Sequence, residues 1–425
     1  MNQLTVWSGL TTIGCNIMTL HDQESRLIMD FGMANDQLEG RNYHSKIAGL
    51  IAEDKLPGIP YLYNEEDLED SNLAANTSTP FSQEAVFISH LHLDHMQGLK
   101  YLPDRYQVYM TEASYQLYQN LIAIGDEFPI AAQVIPVPYN QSLSIGKYMV
   151  KFIPTDHDIP GSSAIYISHD HTHVLYSGDF RFTGFTSDRM ENLIKEKLPI
   201  DILLCEGTAF SFDEEVGEGD NGDRLQSEHE LLVKTQALFS QRDQAIVINP
   251  YPRNLDRLMA LNEMSLRVKR PIAWDKNFAY LLHEFTQDPV YSWDPAADSY
   301  SQVVEFNQRN HYAYQIAYQD IDQLDHIGPG LYLHMNGEPL GDFDPRYQTF
   351  LDQIASHGYD LVNMGVSGHA NKEDLVYFAS EMQADITIPW HSFHPKRLAS
   401  ALEQLGLTTF VPEIGAVYDI EAPLD

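Results

Sequence analysis

The sequence predicts an α/β protein of more than one domain, and three observations lead to that class. Short apolar, β-branched runs alternate with stretches of helical length, as where QVYM precedes EASYQLYQNLIAI and QAIVINPY precedes NLDRLMALNEMSLR, a pattern that implies parallel strands with covering helices. The chain has 425 residues, 43% of them hydrophobic, which is length and apolar content enough for two or three cores. An acidic, glycine-rich segment, FDEEVGEGDNGD, interrupts the alternation near residue 212 and reads as a crossover into a second domain.

In order, residues 3–30 read as three strands, LTVWSG, NIMTLHD and RLIMD, the last ending in Asp30. Residues 33–82 are irregular, with a helix in SKIAGLIAE and an acidic loop in NEEDLEDSNLAANTSTP that could frame one side of a site. The strand AVFIS then runs into four ligand-type side chains within six positions, His90, His92, Asp94 and His95. Imidazoles and carboxylate together suit zinc or a similar first-row divalent ion. On a loop, His90 and His92 can reach one metal, while Asp94 and His95 at the following helix start can reach a second.

The strand YMVKFIPTDHD runs out at His157, which can complete a His-rich set from elsewhere in the chain. His169, His171 and His173 fall between the strand patterns AIYIS and VLYSG, so they are expected in a hairpin turn, pointing into water. VLYSGD delivers Asp179 at a strand end, where its two oxygens can bridge two metals. PIDILLCEGT is a buried strand ending in Glu206.

Beyond the crossover, SEHELLVKTQALFSQ reads as a helix and RPIAWD as a strand start. Arg253, Arg257, Arg267, Lys269, Arg270 and Lys276 concentrate positive charge there, with helix-face salt bridging as the bland explanation. Ser367-Gly-His-Ala precedes the helix NKEDLVYFASEM, and a turn at a helix start can offer Ser367, Gly368 and His369 to an anion such as phosphate. ITIPWH ends in His391, with His394 close behind as a competitor.

A net charge of -35 argues against broad, non-specific attraction to nucleic acid or anionic membrane, so a polyanion must be drawn in locally. Cys15 and Cys205 sit in apolar segments and are expected to be buried free thiols. With no basic stretch ahead of an apolar run and no bilayer-length apolar segment, a cytoplasmic protein without membrane contact is expected.

His90-x-His92-x-Asp94-His95 resembles the signature of the metallo-β-lactamase superfamily. TDHDIPGSSAIYI, Ser177-Gly-Asp-Phe-Arg181, Glu206, Pro252-Arg-Asn-Leu-Asp-Arg257, LYLHMNGEPLGDFD, Ser367-Gly-His-Ala370 and the strand ending at His391 narrow the resemblance to its β-CASP nuclease branch, ribonuclease J-like, over nearly the whole chain. The resemblance implies an αββα sandwich over 1–209 and 361–425 with an inserted β-CASP α/β domain over 210–360. It implies two divalent ions, Zn2+ with Mn2+ or Fe2+ left open. His90, His92 and His157 would hold one and Asp94, His95 and His391 the other, with Asp179 bridging and Asp30 orienting a ligating histidine from behind.

A hydroxide between the metals would be the nucleophile, and His369, oriented by Glu206, would protonate the leaving oxygen. The expected reaction is phosphodiester hydrolysis of nucleic acid, single-stranded RNA before DNA. A small-molecule ester, lactone or thioester hydrolase on the same core is the alternative, and a non-catalytic interaction protein a third reading. Ribonuclease J carries a further C-terminal domain with no counterpart in this sequence, which leaves the substrate open, as does the acidity. A homo-oligomer is also left open.

Overall fold

A computed structural model describes residues 2–39, 42–68, 72–213, 225–306, 308–422 and 424. The first sheet takes β1 (Gln3–Ser8), β2 (Ile17–His21), β3 (Ser25–Met29), β4 (Gln83–Phe87), β5 (Gln107–Thr111) and β6 (Gln133–Val137). The second takes β7 (Leu143–Ile145), β8 (Tyr148–Pro154), β9 (Ser163–His169), β10 (Thr172–Tyr176) and β11 (Ile202–Glu206). A third holds β12 (Ala245–Pro250), β13 (Ile272–Trp274), β14 (Tyr291–Ser292), β15 (Gln302–Val303), β16 (Ala313–Gln315), β17 (Gly330–Met335) and β18 (Tyr359–Asn363). β19 (Ile386–Trp390) and β20 (Val417–Asp419) return to the first two.

Strand order is β20-β1-β2-β3-β4-β5-β6 in the first sheet and β19-β11-β10-β9-β8-β7 in the second. Each is antiparallel where hairpins join neighbours and parallel where helices cross over, as between β3, β4 and β5 or β10, β11 and β19. The third sheet, β15-β14-β13-β16-β12-β17-β18, is parallel throughout.

Alternation along each strand decides the layering. In β4, Ala85 and Phe87 turn inward, meeting Phe152, Ile165 and Leu204 of the second sheet, while Val86 turns outward toward the helix Glu112–Ile124. Because both faces are covered, the strand reads as a continuous apolar run. The outer face of the second sheet, with Leu175, Leu203 and Cys205, is covered by helices Asp188–Lys195, Lys372–Met382 and Pro395–Glu403. The result is a four-layer αββα sandwich, and the core on the outside of the first sheet runs on into the third sheet through Ile246, Ile248 and Leu333.

Several expectations needed correction. Cys15 is half-buried in a loop, outside any strand, with positive φ; Cys205 is buried in β11, and both thiols are free. Half of the basic stretch is interior. Arg253, Arg257 and Arg270 are buried, held by Leu91 O, Asp126 and Glu127, by Glu228, and by the carbonyls of Gln241, Gln244 and Arg309 respectively. Only Arg267, Lys269 and Lys276 of that set are exposed. Most of the acidic crossover segment and part of the first acidic loop lie outside the described residues. No helix among the described residues is long and apolar enough to cross a membrane.

Candidate metal centre

The centre lies where strands of both sheets end. β4 stops at Phe87, and the loop after it carries His90 and His92 to the helix Leu93–Met96, which presents Asp94 and His95. His157 follows β8, Asp179 follows β10 and His391 follows β19. Close backbone approach makes room for the loop: a Cβ on Gly32 would lie 1.6 Å from Asp94 O, so only glycine fits. Asp30 and His391 both sit in left-handed backbone, φ 55° and 53°, a conformation non-glycine residues keep only where surroundings enforce it.

Three groups of donor atoms emerge among the described residues: two share Asp179, and the third, Glu206, His369 and His391, shares His391 with one of them. His90, His92, His157 and Asp179 each place a donor atom within 4.8 Å of the others, as do Asp94, His95, Asp179 and His391. His92 Nδ1 is 3.2 Å from His90 Nε2 and 3.1 Å from His157 Nε2. Asp179 Oδ2 is 3.1 Å from His95 Nε2 and 3.7 Å from both His90 Nε2 and His391 Nε2. His391 Nε2 is 3.0 Å from Asp94 Oδ2.

The rings are fixed from behind. Asp30 Oδ2 lies 2.7 Å from His95 Nδ1 and accepts from Ser89 Oγ and Tyr176 OH, and Ser89 Oγ lies 3.0 Å from His90 Nδ1. Thr208 Oγ1 is 2.7 Å from His391 Nδ1, and His157 Nδ1 meets Gly368 O. With the outer nitrogens occupied, the inner ones converge on Asp179, the arrangement that metal-ligating histidines adopt.

The donor chemistry suits borderline divalent ions, and the unmet polar atoms are where such ions would bind. Both Asp179 oxygens are buried without a well-directed hydrogen bond. An unpartnered buried carboxylate is expensive unless a cation meets it. The Asp179 carboxyl sits well below the usual carboxylate range; burial would raise it, but His391, then His95 and His369, outweigh burial. His90 is pushed down by burial and then by His95.

Behind Asp179 lies a second acid–base pair. Glu206, at the end of β11, has Oε1 3.2 Å from His369 Nδ1, which is also 3.8 Å from Asp179 Oδ2. Burial opposes the charged ring of His369, but Glu206, then Asp179, raise its pKa to about 9. The side chain is a quarter exposed. The Ser367-Gly-His turn lies ahead of the helix, which starts at Lys372 with Asn371 as its cap. Ser367 Oγ closes its own turn, donating to His369 O and accepting from His369 N–H, so those two groups are already engaged.

Other residues reach the site without having stood out. Asp158 Oδ1 is 3.2 Å from His92 Nε2 and 3.5 Å from His157 Nε2. Asn16 Nδ2 is 2.9 Å from His95 Nε2, and the Tyr251 ring, just past β12, is centred 5.8 Å from that of His92. Asp158 could have been found from its place beside His157 at a strand end. Asn16 and Tyr251 carried no local signal, being brought in by β1–β2 and by the third sheet. His394 stays apart, its N–H bonded to Ser392 Oγ, while His391 occupies the site.

Fold and site define the class. Residues 71–238 match the beta-lactamase superfamily domain. The chain is similar to the metallo-β-lactamase superfamily over that segment, and to ribonucleases J among curated proteins. It is 21% identical over 292 residues to ribonuclease J of Helicobacter pylori (strain ATCC 700392 / 26695), covering 64% of this chain and 36% of that protein. It is 26% identical over 238 residues to a probable RNase, MJ4, of Methanocaldococcus jannaschii, covering 48% of this chain and 53% of that one. The chain thus spans about a third to a half of the length of these relatives. A solved protein of unknown function from Enterococcus faecalis V583 superimposes with TM-score 0.84 at 26% identity, covering 98% of this chain and 99% of that one.

Proposed function

We propose that this chain is a cytoplasmic, metal-dependent hydrolase that cleaves phosphodiester bonds, with RNA as its substrate and two divalent ions at the centre. The observation that carries the reading is Asp179, one buried carboxylate common to two ligand sets with neither oxygen satisfied. His90, His92 and His157 would hold one ion and Asp94, His95 and His391 the other. When bound, the ions supply Lewis acidity at the phosphoryl oxygens and acidify a water toward a nucleophile.

The chain's own residues account for the remaining demands. The departing sugar oxygen needs a proton, and His369 is charged and adjacent. Glu206 engages His369 Nδ1, so the proton for transfer is the one on Nε2. Asp30, Ser89 and Thr208 keep the ligating rings aimed. The third sheet is read as an insertion over 210–360 between core segments 1–209 and 361–425, with Tyr251 facing the site from it.

The relatives named as ribonucleases support the nucleic-acid substrate. One observation favours the alternative, a small-molecule ester, lactone or thioester: Arg253, Arg257 and Arg270 of the basic stretch are buried in ion pairs and backbone contacts. One assay separates them. Metal-replete protein is incubated with end-labelled single-stranded RNA and DNA carrying 5′-monophosphate or 5′-hydroxyl ends, beside model esters and thioesters. Turnover of RNA above the esters supports the proposal, and ester turnover with intact RNA rejects it.

A further inference from the structure

The three histidines of the β9–β10 hairpin do not share one environment. His171 is exposed and His173 Nδ1 lies 2.9 Å from Tyr166 OH, but His169 is only 3% exposed. It closes β9 six residues beyond Ser163, whose N–H bonds Ser89 O beside the metal centre, so it lies roughly 20 Å away along the strand. Its ring lies against Tyr148, centroids 4.6 Å apart.

His169 Nε2 is 3.2 Å from Asp22 Oδ2, and Asp22 is itself fixed because its Oδ1 accepts the N–H groups of Glu24 and Ser25. The other nitrogen, Nδ1, is buried without a hydrogen-bond partner. It faces two carboxylates, Glu421 Oε1 at 3.8 Å and Asp170 Oδ2 at 4.0 Å. An imidazole that donates to Asp22 through Nε2 turns its Nδ1 lone pair toward those oxygens, and only a cation between them removes the repulsion.

Two cations can do this, and the distances discriminate. A proton on Nδ1 would draw a carboxylate to about 2.7–2.9 Å. Separations of 3.8 and 4.0 Å are too long for a hydrogen bond, but two metal–ligand bonds of about 2.0–2.2 Å each can span them. The neighbouring cleft, about 540 Å³, is lined by Asp170, Asp201, Asp385 and Glu421 and concentrates negative field at this point.

We propose that His169, Asp170 and Glu421 form a second, separate site for a divalent cation, with Asp22 orienting the histidine. One imidazole with two carboxylates selects ions of the zinc or manganese type over calcium. The ion ties the segment after β20 to the β9–β10 hairpin and the β2–β3 turn, closing the far end of the sandwich.

The test is equilibrium dialysis against Zn2+ and, separately, Mn2+, with metal content per chain and the metal-induced rise in Tm as readouts. His169→Gln should bind one equivalent fewer than the unaltered protein and lose the part of the Tm rise that this ion provides. Asp22→Asn should weaken that equivalent about 10–100-fold. Glu421→Gln alters a side chain 37% exposed, so it keeps the test valid even if His169→Gln misfolds. It should also lose or weaken the same equivalent while RNA and ester turnover stay unchanged. Identical metal content and Tm rise in the unaltered protein and every folded variant would overturn the proposal and leave His169 as a partner of Asp22 alone.

Discussion

His369→Ala separates proton donation from the rest of the chemistry. The imidazole is bracketed by two carboxylates, Glu206 Oε1 at 3.2 Å and Asp179 Oδ2 at 3.8 Å from Nδ1, so it is held charged. Neither of the two sets that share Asp179 includes it, although His369 forms a third donor group with Glu206 and His391. The variant should therefore keep its metal content and lose about 10²–10⁴-fold in turnover of RNA, the range for one general acid. A p-nitrophenyl phosphodiester, whose leaving group needs little protonation, should escape most of that loss. Glu206→Gln removes the largest influence that raises the His369 pKa, so the alkaline limb of its pH–rate profile should move to lower pH. Equal losses on RNA and on the activated diester would refute the proton-donor role and leave His369 as a phosphate-binding or structural residue.

Three further outcomes follow from the same structure. Glu228 is buried between Arg181 and Arg257, so Glu228→Gln strands two buried guanidinium groups and should cost about 3–5 kcal/mol in urea unfolding. Burial, then Asp320 and Asp294, push the Asp275 carboxyl up to about 6, so the folded state prefers it protonated, and stability is lost as pH rises from about 4 through 6. Asp275→Asn can still accept the Phe278 N–H, and it should gain about 1–3 kcal/mol over the unaltered protein at pH 7.5 but little at pH 4. With Arg253, Arg257 and Arg270 buried, few phosphates can be neutralised, so log K for single-stranded RNA against log salt should have a slope no steeper than about -2 to -4. A steeper slope would show that more cations meet the RNA than these buried arginines allow.

The side chains that the structure gathers at the site were legible because their chemistry is concentrated at strand ends. An apolar run that stops at His90, or at Asp179 after Gly178, announces both the strand and the group it delivers. The strand–helix alternation was equally plain, since a parallel strand covered on both faces is apolar throughout. What misled was charge and turn chemistry, neither of which reports burial. Arg257 counted as surface charge until Glu228, 29 positions earlier, met it in the interior. His169 belonged to a polar hairpin, yet it is the last inward-facing residue of β9 and rests on Tyr148. Asp158 was visible only as a neighbour of His157, since its contact with His92 depends on bringing two loops together.

The most direct test of the account is the metal content of Asp179→Ala beside the unaltered protein, with circular dichroism to verify the fold. Asp179 contributes to both ligand sets and is 1% exposed, so its loss should empty both positions together and abolish hydrolysis while the sandwich stays folded. A folded Asp179→Ala protein with the metal load of the unaltered chain would contradict the shared-carboxylate centre on which the proposed function rests.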